Sequence, residues 1–341
     1  MICNGDAGGN GSNVYGDEGL QHMYSKGGLD SAVFGERAEE ILAGLESRRK
    51  YIPSKFFYDA RGSKLFEEIT RLDEYYPSRT EKRIMRDNAP EIVNEFEGAT
   101  IVEIGSGDCS KISILLDAMS PEARHSIVYV PVDVSPSAIQ ESRCRLRDSF
   151  GVVQVDELVA DFTGNIDALS KYHNKILCFF GSTIGNLDRE QSIGFVRKIG
   201  KLMECGERFL LGLDMVKERE VLERAYNDNK GVTAEFNRNI LKVANRIAGT
   251  DFIPDMFEHV AFYNRKANRI EMYLEARGTT EVHTPLLKQE LLIKEGERIH
   301  TENSHKFTLE HVSLFAEAGH LDVERVFNDS RHWFSIVEYV K

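Results

Sequence analysis

The feature that most constrains the fold is a short apolar run that ends in a glycine turn and leads into an amphipathic helix. Residues 101–104 (IVEI) form the run, and residues 105–107 (GSG) form the turn. The apolar residues that follow lie at i, i+3, i+4 and i+7, and these are Ile112, Leu115, Leu116 and Met119. Such a unit is typical of α/β proteins, where the backbone N–H groups of the turn meet a polar or anionic ligand at the helix N-terminus.

The same alternation of strand and helix continues along the chain. The predicted strands are residues 126–132, 153–159, 175–180 and 208–213. The predicted helices between them are residues 135–150 and 189–203, the second opened by a capping box of Asp188 and Gln191. Strands that alternate with helices at this spacing predict an α/β fold with a doubly wound, parallel, Rossmann-like sheet.

The regions on either side of this pattern predict a second, α+β domain. Residues 31–49 and 79–97 have helical patterns, and residues 217–247 are helical before a strand at 269–277. A helix at 308–318 and strands at 320–327 and 332–340 return to the sheet. We therefore expect one domain from residues 79–216 plus 306–341 and another from 28–78 plus 217–305, after a disordered tail at 1–27.

Composition excludes several classes of partner. The formal net charge is −12, and basic residues occur only in short runs such as residues 48–50, which argues against nucleic acid and anionic membranes. The five cysteines form no CxxC pair, so neither a zinc site nor a disulfide framework is predicted. No run of about 18 apolar residues is present. We expect a cytoplasmic, monomeric protein that acts on a small molecule.

Acidic residues at the ends of successive strands indicate the ligand of the glycine turn. Asp133 ends the second strand, where a carboxylate can accept hydrogen bonds from ribose hydroxyls. Asp161 and Phe162 follow the third, as an acid for an adenine amino group and a ring for the base. Ser110 replaces the third glycine of a dinucleotide fingerprint, which disfavours a nicotinamide oxidoreductase. The pattern favours an S-adenosylmethionine-dependent methyltransferase, with two simple helix caps as the alternative.

Several long motifs resemble those of one family. They are FFYDARGSKLFEEITRLDEYYPSRTE, VEIGSGDCSK, GSTIGNL, GVTAEFNRN, FEHVAFYN, RIEMYL and TENSHKF. In their order and in their residues they resemble the motifs of the histidine-specific methyltransferases, which trimethylate histidine to hercynine in the first step of ergothioneine biosynthesis. The resemblance covers roughly residues 50–341. Two departures are residues 108–110 (DCS) and Asn303, where the family has other residues.

The resemblance implies a role for individual residues. The implied cofactor residues are Gly105, Lys111, Asp133, Asp161 and Phe162. The implied residues around the amino-acid acceptor are Tyr58, Tyr75, Asn186, Tyr226, Met272, Glu302 and Ser304. Among these, Asn186 and Tyr226 are expected to hold the carboxylate, Glu302 and Ser304 the imidazole, and Tyr58 to lie near the reacting amine.

These side chains suit the implied chemistry. A tyrosine hydroxyl can accept a hydrogen bond from an amine without adding a charge, and Tyr58 is expected to do so. A carboxylate paired with a hydroxyl can hold both nitrogens of an imidazole, one as donor and one as acceptor. Without the motif, Glu302 would be interpreted as an exposed strand residue, and Tyr226 and Met272 as core.

The sequence therefore predicts transfer of methyl groups from S-adenosylmethionine to the α-amino nitrogen of L-histidine, three times. The alternative within the class is an N-methyltransferase for tryptophan or tyrosine. The alternative from another class is the nicotinamide-dependent oxidoreductase. No metal site is predicted, and Asn303 is expected to point away from Glu302 and Ser304 if the segment is a strand.

Overall fold

The computed structural model describes residues 31–134, 136–150, 154–160, 166–286 and 290–341. The predicted tail at 1–27 and the predicted cofactor residues Asp161 and Phe162 lie outside these ranges. Among the described residues, no helix has both the length and the apolar composition that crossing a bilayer requires.

A mixed eight-stranded sheet forms the centre of the α/β part. Its strands are Thr100–Ile104 (β1), Val128–Asp133 (β2), Gln154–Val155 (β3), Leu158–Val159 (β4), Lys175–Phe179 (β5), Arg208–Asp214 (β6), Asp322–Asn328 (β12) and Phe334–Val340 (β13). They lie in the order β12-β13-β6-β5-β1-β2-β3, with β4 also beside β2. Strands β1 to β6 pair in parallel, whereas β13 is antiparallel to both β6 and β12. The predicted Rossmann-like sheet, with a C-terminal hairpin that returns to it, is confirmed.

Helices cover the sheet and build the remaining region. They are Ser31–Glu46 (α1), Ala60–Thr70 (α2), Tyr76–Ile92 (α3), Ser110–Ala118 (α4), Pro121–Ser126 (α5), Pro136–Phe150 (α6), Arg189–Leu202 (α7), Arg219–Ala225 (α8), Val232–Ala248 (α9) and Leu309–Gly319 (α10). The capping box at α7 is confirmed: the N–H of Gln191 donates to Asp188 and the N–H of Asp188 donates to Gln191. Between α8 and α9, Asp228 accepts the first N–H groups of α9, which interrupts the predicted helical stretch.

Two strand predictions need correction. The strand predicted at 126–132 begins only at Val128, because Ser126 belongs to α5, whose N-terminus Ser120 caps. The strand predicted at 153–159 consists of the two short strands β3 and β4, and the N–H of Asp156 between them donates to Tyr129.

Outside the main sheet lie two small antiparallel sheets. Phe257–Asn264 (β7), Arg269–Ala276 (β8) and Arg298–His305 (β11) form one, in the order β11-β8-β7, and Thr280–Val282 (β9) pairs with Leu291–Ile293 (β10) in the other. One apolar cluster joins residues 38–76 to residues 222–299. The N-terminal segment and the later insertion therefore share a core, although the predicted boundary between residues 78 and 79 falls inside α3.

The topology creates a crevice at β1. Strand β1 lies between β2 and β5 and runs parallel to both, while the chain leaves β1 toward β2 and later returns to β5. Ligands of open α/β sheets bind beyond the carboxyl ends of the strands at such a switch point. The glycine turn after β1 therefore lies where a ligand is expected.

Strand β1 also carries a buried acid, Glu103. Its carboxyl group accepts a hydrogen bond of 2.6 Å from the hydroxyl of Tyr129. Burial raises the pKa of Glu103 to about 8, although the Tyr129 hydrogen bond and the nearby Lys111 act in the opposite direction. Since the unfolded chain ionises near the ordinary value, this group contributes stability at low pH that is lost as the pH rises through about 8.

We predict that Glu103→Gln removes this pH dependence, because an amide oxygen can still accept from Tyr129 but cannot ionise. From pH 5 to pH 9 the parent chain should lose about 2–4 kcal/mol of its free energy of unfolding through this group, and the variant should not. Urea unfolding at a series of pH values measures this difference. Curves of variant and parent that stay parallel across that range would contradict the assignment.

Candidate active site

The glycine turn after β1 has a backbone that only glycine adopts easily. Gly105 has a φ of +70° and Gly107 a φ of +53°. The N–H of Gly105 donates to the carbonyl of Val132 at 2.7 Å, and that of Gly107 donates to the carboxylate of Asp133 at 3.1 Å. No described atom lies within 4 Å of the position that a Cβ on Gly107 would take. The turn thus ties β1 to β2 and borders open space.

Polar groups around this open space suit a nucleoside with a charged tail. Asp133 is half-buried at the end of β2. The Oγ of Ser106 is buried without a hydrogen-bond partner in the described part of the chain, and a buried hydroxyl without a partner is costly unless a ligand satisfies it. Residues 108–110 depart from the family pattern, and here the N–H and hydroxyl of Ser110, the first residue of α4, both donate to Asp108. The residues present therefore fit S-adenosylmethionine.

Lys111 lies at the switch point but pairs with a protein carboxylate. Its Nζ is 3.0 Å from the fully buried Glu81, and the other oxygen of Glu81 accepts the N–H of Gly181 at 2.7 Å. Gly181 has a φ of +77°, and a Cβ there would come within 2.7 Å of the Lys111 Nζ. Glu81, in the motif that ends YYPSRTE, thus connects α3 with the first turn of α4 and with the turn after β5. The cofactor role of Lys111 stays a prediction.

Next to the crevice is a partly open cavity, lined as small-molecule sites are by aromatic and apolar side chains with a few polar groups. Every residue predicted around the acceptor lines it: Tyr58, Tyr75, Asn186, Tyr226, Met272, Glu302 and Ser304. Tyr58 and Tyr75 come from the N-terminal segment, and Asn186 follows β5. The remaining four come from residues 217–305, so the fold collects one cavity from distant parts of the chain.

Strand β11 supplies the acid and hydroxyl of this cavity. Glu302 pairs across the sheet with Met272, and a bulge lies between His300 and Glu302. The side chains of Glu302 and Ser304 are 8% and 7% exposed. The side chain of Asn303 instead contacts the His300 ring at 2.9 Å. Asn303 therefore leaves the pair intact.

The pKa of the Glu302 carboxyl group lies near neutral pH. Burial raises its pKa to about 7, while the charge of Lys306 and a hydrogen bond with the Asn186 side chain act in the opposite direction. A buried carboxylate in this state is expected to be stabilised by a ligand that donates a hydrogen bond to it. Asn186, predicted to hold the substrate carboxylate, contacts Glu302 in this structure.

The tyrosines of the cavity stay neutral. Burial raises the pKa of Tyr58, Tyr75 and Tyr226 well above the ordinary value, and the charge of Glu302 adds to the shift. The charge of Asp133 also contributes to the shift of Tyr58, which therefore lies within electrostatic range of both the end of β2 and Glu302. A phenol in this position can donate or accept a hydrogen bond, but it is a poor base.

Phe66 and Phe236 also line the cavity, and the sequence predicted no role for either. We call the rings of Tyr58, Phe66 and Phe236 the aromatic wall. The ring of Phe66 lies 5.7 Å from that of Tyr58, and the ring of Phe236 lies 6.0 Å from it, centroid to centroid. Both lie inside motifs that carry the family resemblance, FFYDARGSKLFEEITRLDEYYPSRTE and GVTAEFNRN. The length of those motifs is the sequence signal that could have indicated a role for these two residues.

A cluster of buried charges lies beside the cavity. Asp214, at the end of β6, is bound by Lys306 at 2.8 Å and by Lys217, and the hydroxyl of Tyr76 donates to it at 2.7 Å. Burial alone would raise the pKa of Asp214, but the two lysines hold it below its usual value. One carboxylate thus faces two cations, and we call these four side chains the Asp214 cluster.

Comparison with known proteins agrees with the family resemblance of the sequence motifs. A family described as histidine-specific, S-adenosylmethionine-dependent methyltransferases matches residues 37–341. The match begins somewhat before the predicted start near residue 50 and includes every residue of the glycine turn and the cavity.

Individual relatives carry related names. The chain is 40% identical to the histidine N-alpha-methyltransferase of Mycolicibacterium smegmatis, over 85% of this chain and 90% of that protein. It is 37% identical to the histidine N-alpha-methyltransferase of Mycobacterium tuberculosis, over 87% of this chain and 92% of that protein. It is 29% identical to ergothioneine biosynthesis protein 1 of Neurospora crassa, over 79% of this chain but only 31% of that longer protein.

Proposed function

The chain belongs to the family of histidine-specific, S-adenosylmethionine-dependent methyltransferases, and on this premise we propose that it methylates the α-amino nitrogen of L-histidine. The observation that carries the proposal is that Glu302 and Ser304 both line a partly open cavity, together with several aromatic side chains, next to the glycine turn. This pair offers both an acceptor and a donor, which an imidazole requires and an aliphatic side chain does not.

The glycine turn would hold the methyl donor. Gly105, Lys111 and Asp133 border the crevice, and the family resemblance adds Asp161 and Phe162, which lie outside the described residues. S-adenosylmethionine supplies an activated methyl group on a sulfonium. The chain's own contribution is to align the acceptor nitrogen with that group and to exclude water, which is a proximity effect.

Tyr58 would orient the reacting amine. It lines the same cavity as Glu302, and burial, followed by the charges of Glu302 and Asp133, raises its pKa. Its neutral hydroxyl can accept a hydrogen bond from an amine N–H and so direct the nitrogen lone pair away from itself. The α-amine must be neutral to react, and a phenol favours the neutral amine more than a carboxylate would.

The other polar residues would fix the rest of the amino acid. We propose that Asn186 donates to the α-carboxylate, since the one hydroxyl hydrogen of Tyr226 is donated to Ser304, and that Glu302 and Ser304 bind the two ring nitrogens. Met272, opposite Glu302 on β8, would pack against the ring. An acceptor without ring nitrogens would leave Glu302 buried and unpaired, which is heavily penalised.

The aromatic wall supports more than one methylation. In each addition the amine lone pair would form an N–C bond as the C–S bond of the sulfonium breaks, with S-adenosylhomocysteine as the leaving group. The resulting ammonium must lose a proton to solvent before the next addition, so each round replaces an N–H by a bulkier methyl group. The rings of Tyr58, Phe66 and Phe236 line the cavity together, and aromatic rings attract quaternary ammonium groups. We propose three additions, to give the betaine of histidine, hercynine, as the first step of ergothioneine biosynthesis. The monomeric state, the cytoplasmic location and the absence of nucleic-acid binding stay predictions.

The test is to incubate the purified chain with S-adenosylmethionine and a panel of amino acids and to measure product masses. Histidine should gain one, two and then three methyl groups, whereas tryptophan and tyrosine should gain none. Methylation of tryptophan or tyrosine in place of histidine would contradict the proposed acceptor. Oxidation of any acceptor with a nicotinamide cofactor would contradict the class of reaction.

A further inference from the structure

Lys306 directly follows β11 and is almost completely buried, with 2% of its surface exposed. Its ammonium group contacts three acceptors: the carboxylate of Asp214 at 2.8 Å, the Oγ of Ser304 at 2.8 Å and the hydroxyl of Tyr226 at 3.2 Å. An ammonium group has three hydrogens and no lone pair, so it can only donate. All three hydrogens are therefore used by these contacts.

The consequence falls on Ser304. A hydroxyl has two lone pairs and one hydrogen. The Oγ of Ser304 accepts from Lys306 and also from Tyr226, whose hydroxyl lies 2.7 Å away. With both lone pairs occupied, Ser304 can offer a further partner only its hydrogen. The serine lines the cavity, so this hydrogen is what the serine presents to a ligand.

Glu302 presents the opposite polarity on the same strand. When ionised, its carboxylate only accepts. A ring that satisfies both side chains needs an N–H toward Glu302 and a nitrogen lone pair toward Ser304. Neutral imidazole has both, whereas imidazolium has two N–H groups, and an indole has one N–H and no ring lone pair.

We propose that Lys306 is a positioning residue that fixes Ser304 as a donor and thereby selects a neutral imidazole over imidazolium and indole. This inference rests on the proposed function, because it concerns how the same cavity recognises its acceptor. Lys306 acts through Ser304 and Tyr226 and lies behind them.

Lys217 provides a matched control in the same cluster. Its side chain is 2% exposed, as buried as that of Lys306, and it binds the same carboxylate of Asp214. Its other contacts are the hydroxyl of Tyr76, at 2.7 Å, and the carbonyl of Met215. Replacing either lysine with methionine removes one buried cation and leaves the other paired with Asp214. The two variants differ in whether the hydroxyls of Ser304 and Tyr226 lose a donor.

The experiment measures kcat and KM of both variants for histidine and for S-adenosylmethionine. Lys306→Met should raise the KM for histidine about 10- to 100-fold, with the KM for S-adenosylmethionine changed less than about threefold. Lys217→Met should change the KM for histidine less than about threefold. Lys306→Gln keeps an uncharged donor, so it should raise the KM for histidine less than Lys306→Met does. It replaces the methionine variant in the comparison if that variant does not fold.

A second comparison locates the effect at Ser304. In a Ser304→Ala background, Lys306→Met should raise the KM for histidine by less than about threefold further, since its target is absent. Equal effects of the two lysine variants, or full additivity with Ser304→Ala, would overturn the inference while leaving the proposed function intact. A parent chain that does not methylate histidine would overturn both.

Discussion

Replacing Glu302 with alanine is expected to raise the KM for histidine about 10²- to 10³-fold, with the KM for S-adenosylmethionine changed less than about threefold. The reason is that the imidazole N–H would enter a buried site and lose its acceptor. The side chain of Glu302 lines the acceptor cavity, whereas the glycine turn that borders the cofactor crevice follows β1. Steady-state kinetics with each substrate varied in turn measure the two constants.

The control for this prediction lies on the same strand. Asn303 directly follows Glu302, but its side chain contacts His300. Asn303→Ala should therefore leave both KM values within about threefold of the parent. If Glu302→Ala raised the two KM values equally, the carboxylate would have a structural role. If Asn303→Ala raised the KM for histidine as much, the strand as a whole would be the sensitive element.

The α/β part of the fold could be predicted because its signals are local. The apolar run at β1, the GSG turn and the helical spacing after it are each contained in a few residues, and the capping box before α7 was found from Asp188 and Gln191 alone. Buried parallel strands are near-continuous apolar runs, so β1, β5 and β6 stand out from their surroundings. Errors there are confined to strand ends and to the interruption between β3 and β4.

The second sheet was less predictable for a physical reason. Strand β7 has only its first residue and Tyr263 buried, so its sequence lacks the alternation that marks a half-buried strand. In β11 the bulge places Thr301 and Glu302 both in buried positions. A strict two-residue period could not have predicted this, and it would have assigned the glutamate to solvent. The family motif was needed to single out Glu302.

The Asp214 cluster could not be predicted from local sequence at all. Tyr76 begins α3, Asp214 ends β6 and Lys306 follows β11, so more than 100 positions separate the first two. Each is an ordinary residue in its own segment. Their proximity results from the way the N-terminal segment and the insertion fold against the carboxyl ends of the main sheet. Lys306, two residues after Ser304 in TENSHKF, was missed for the same reason.

The same cluster leads to the largest expected effect on stability. Asp214→Asn should lower the free energy of unfolding by about 3–5 kcal/mol, because it removes the anion that compensates two buried lysines. Burial already lowers the pKa of Lys217, against the attraction of Asp214. Without that attraction, its ammonium group would have to lose its proton or disrupt the packing around it. Urea unfolding at neutral pH measures the change.

A second variant separates charge from packing. Adding Lys217→Met to Asp214→Asn restores the parent's net charge in the cluster, since one cation is removed together with the anion. If uncompensated charge causes the loss, the double variant should recover about half of it or more. If the double variant is as unstable as the two single changes added together, the cluster stabilises the chain through hydrogen-bond geometry instead. In that case Asp214 serves mainly to hold Lys306 against Ser304, and its loss should raise the KM for histidine even where the chain remains folded.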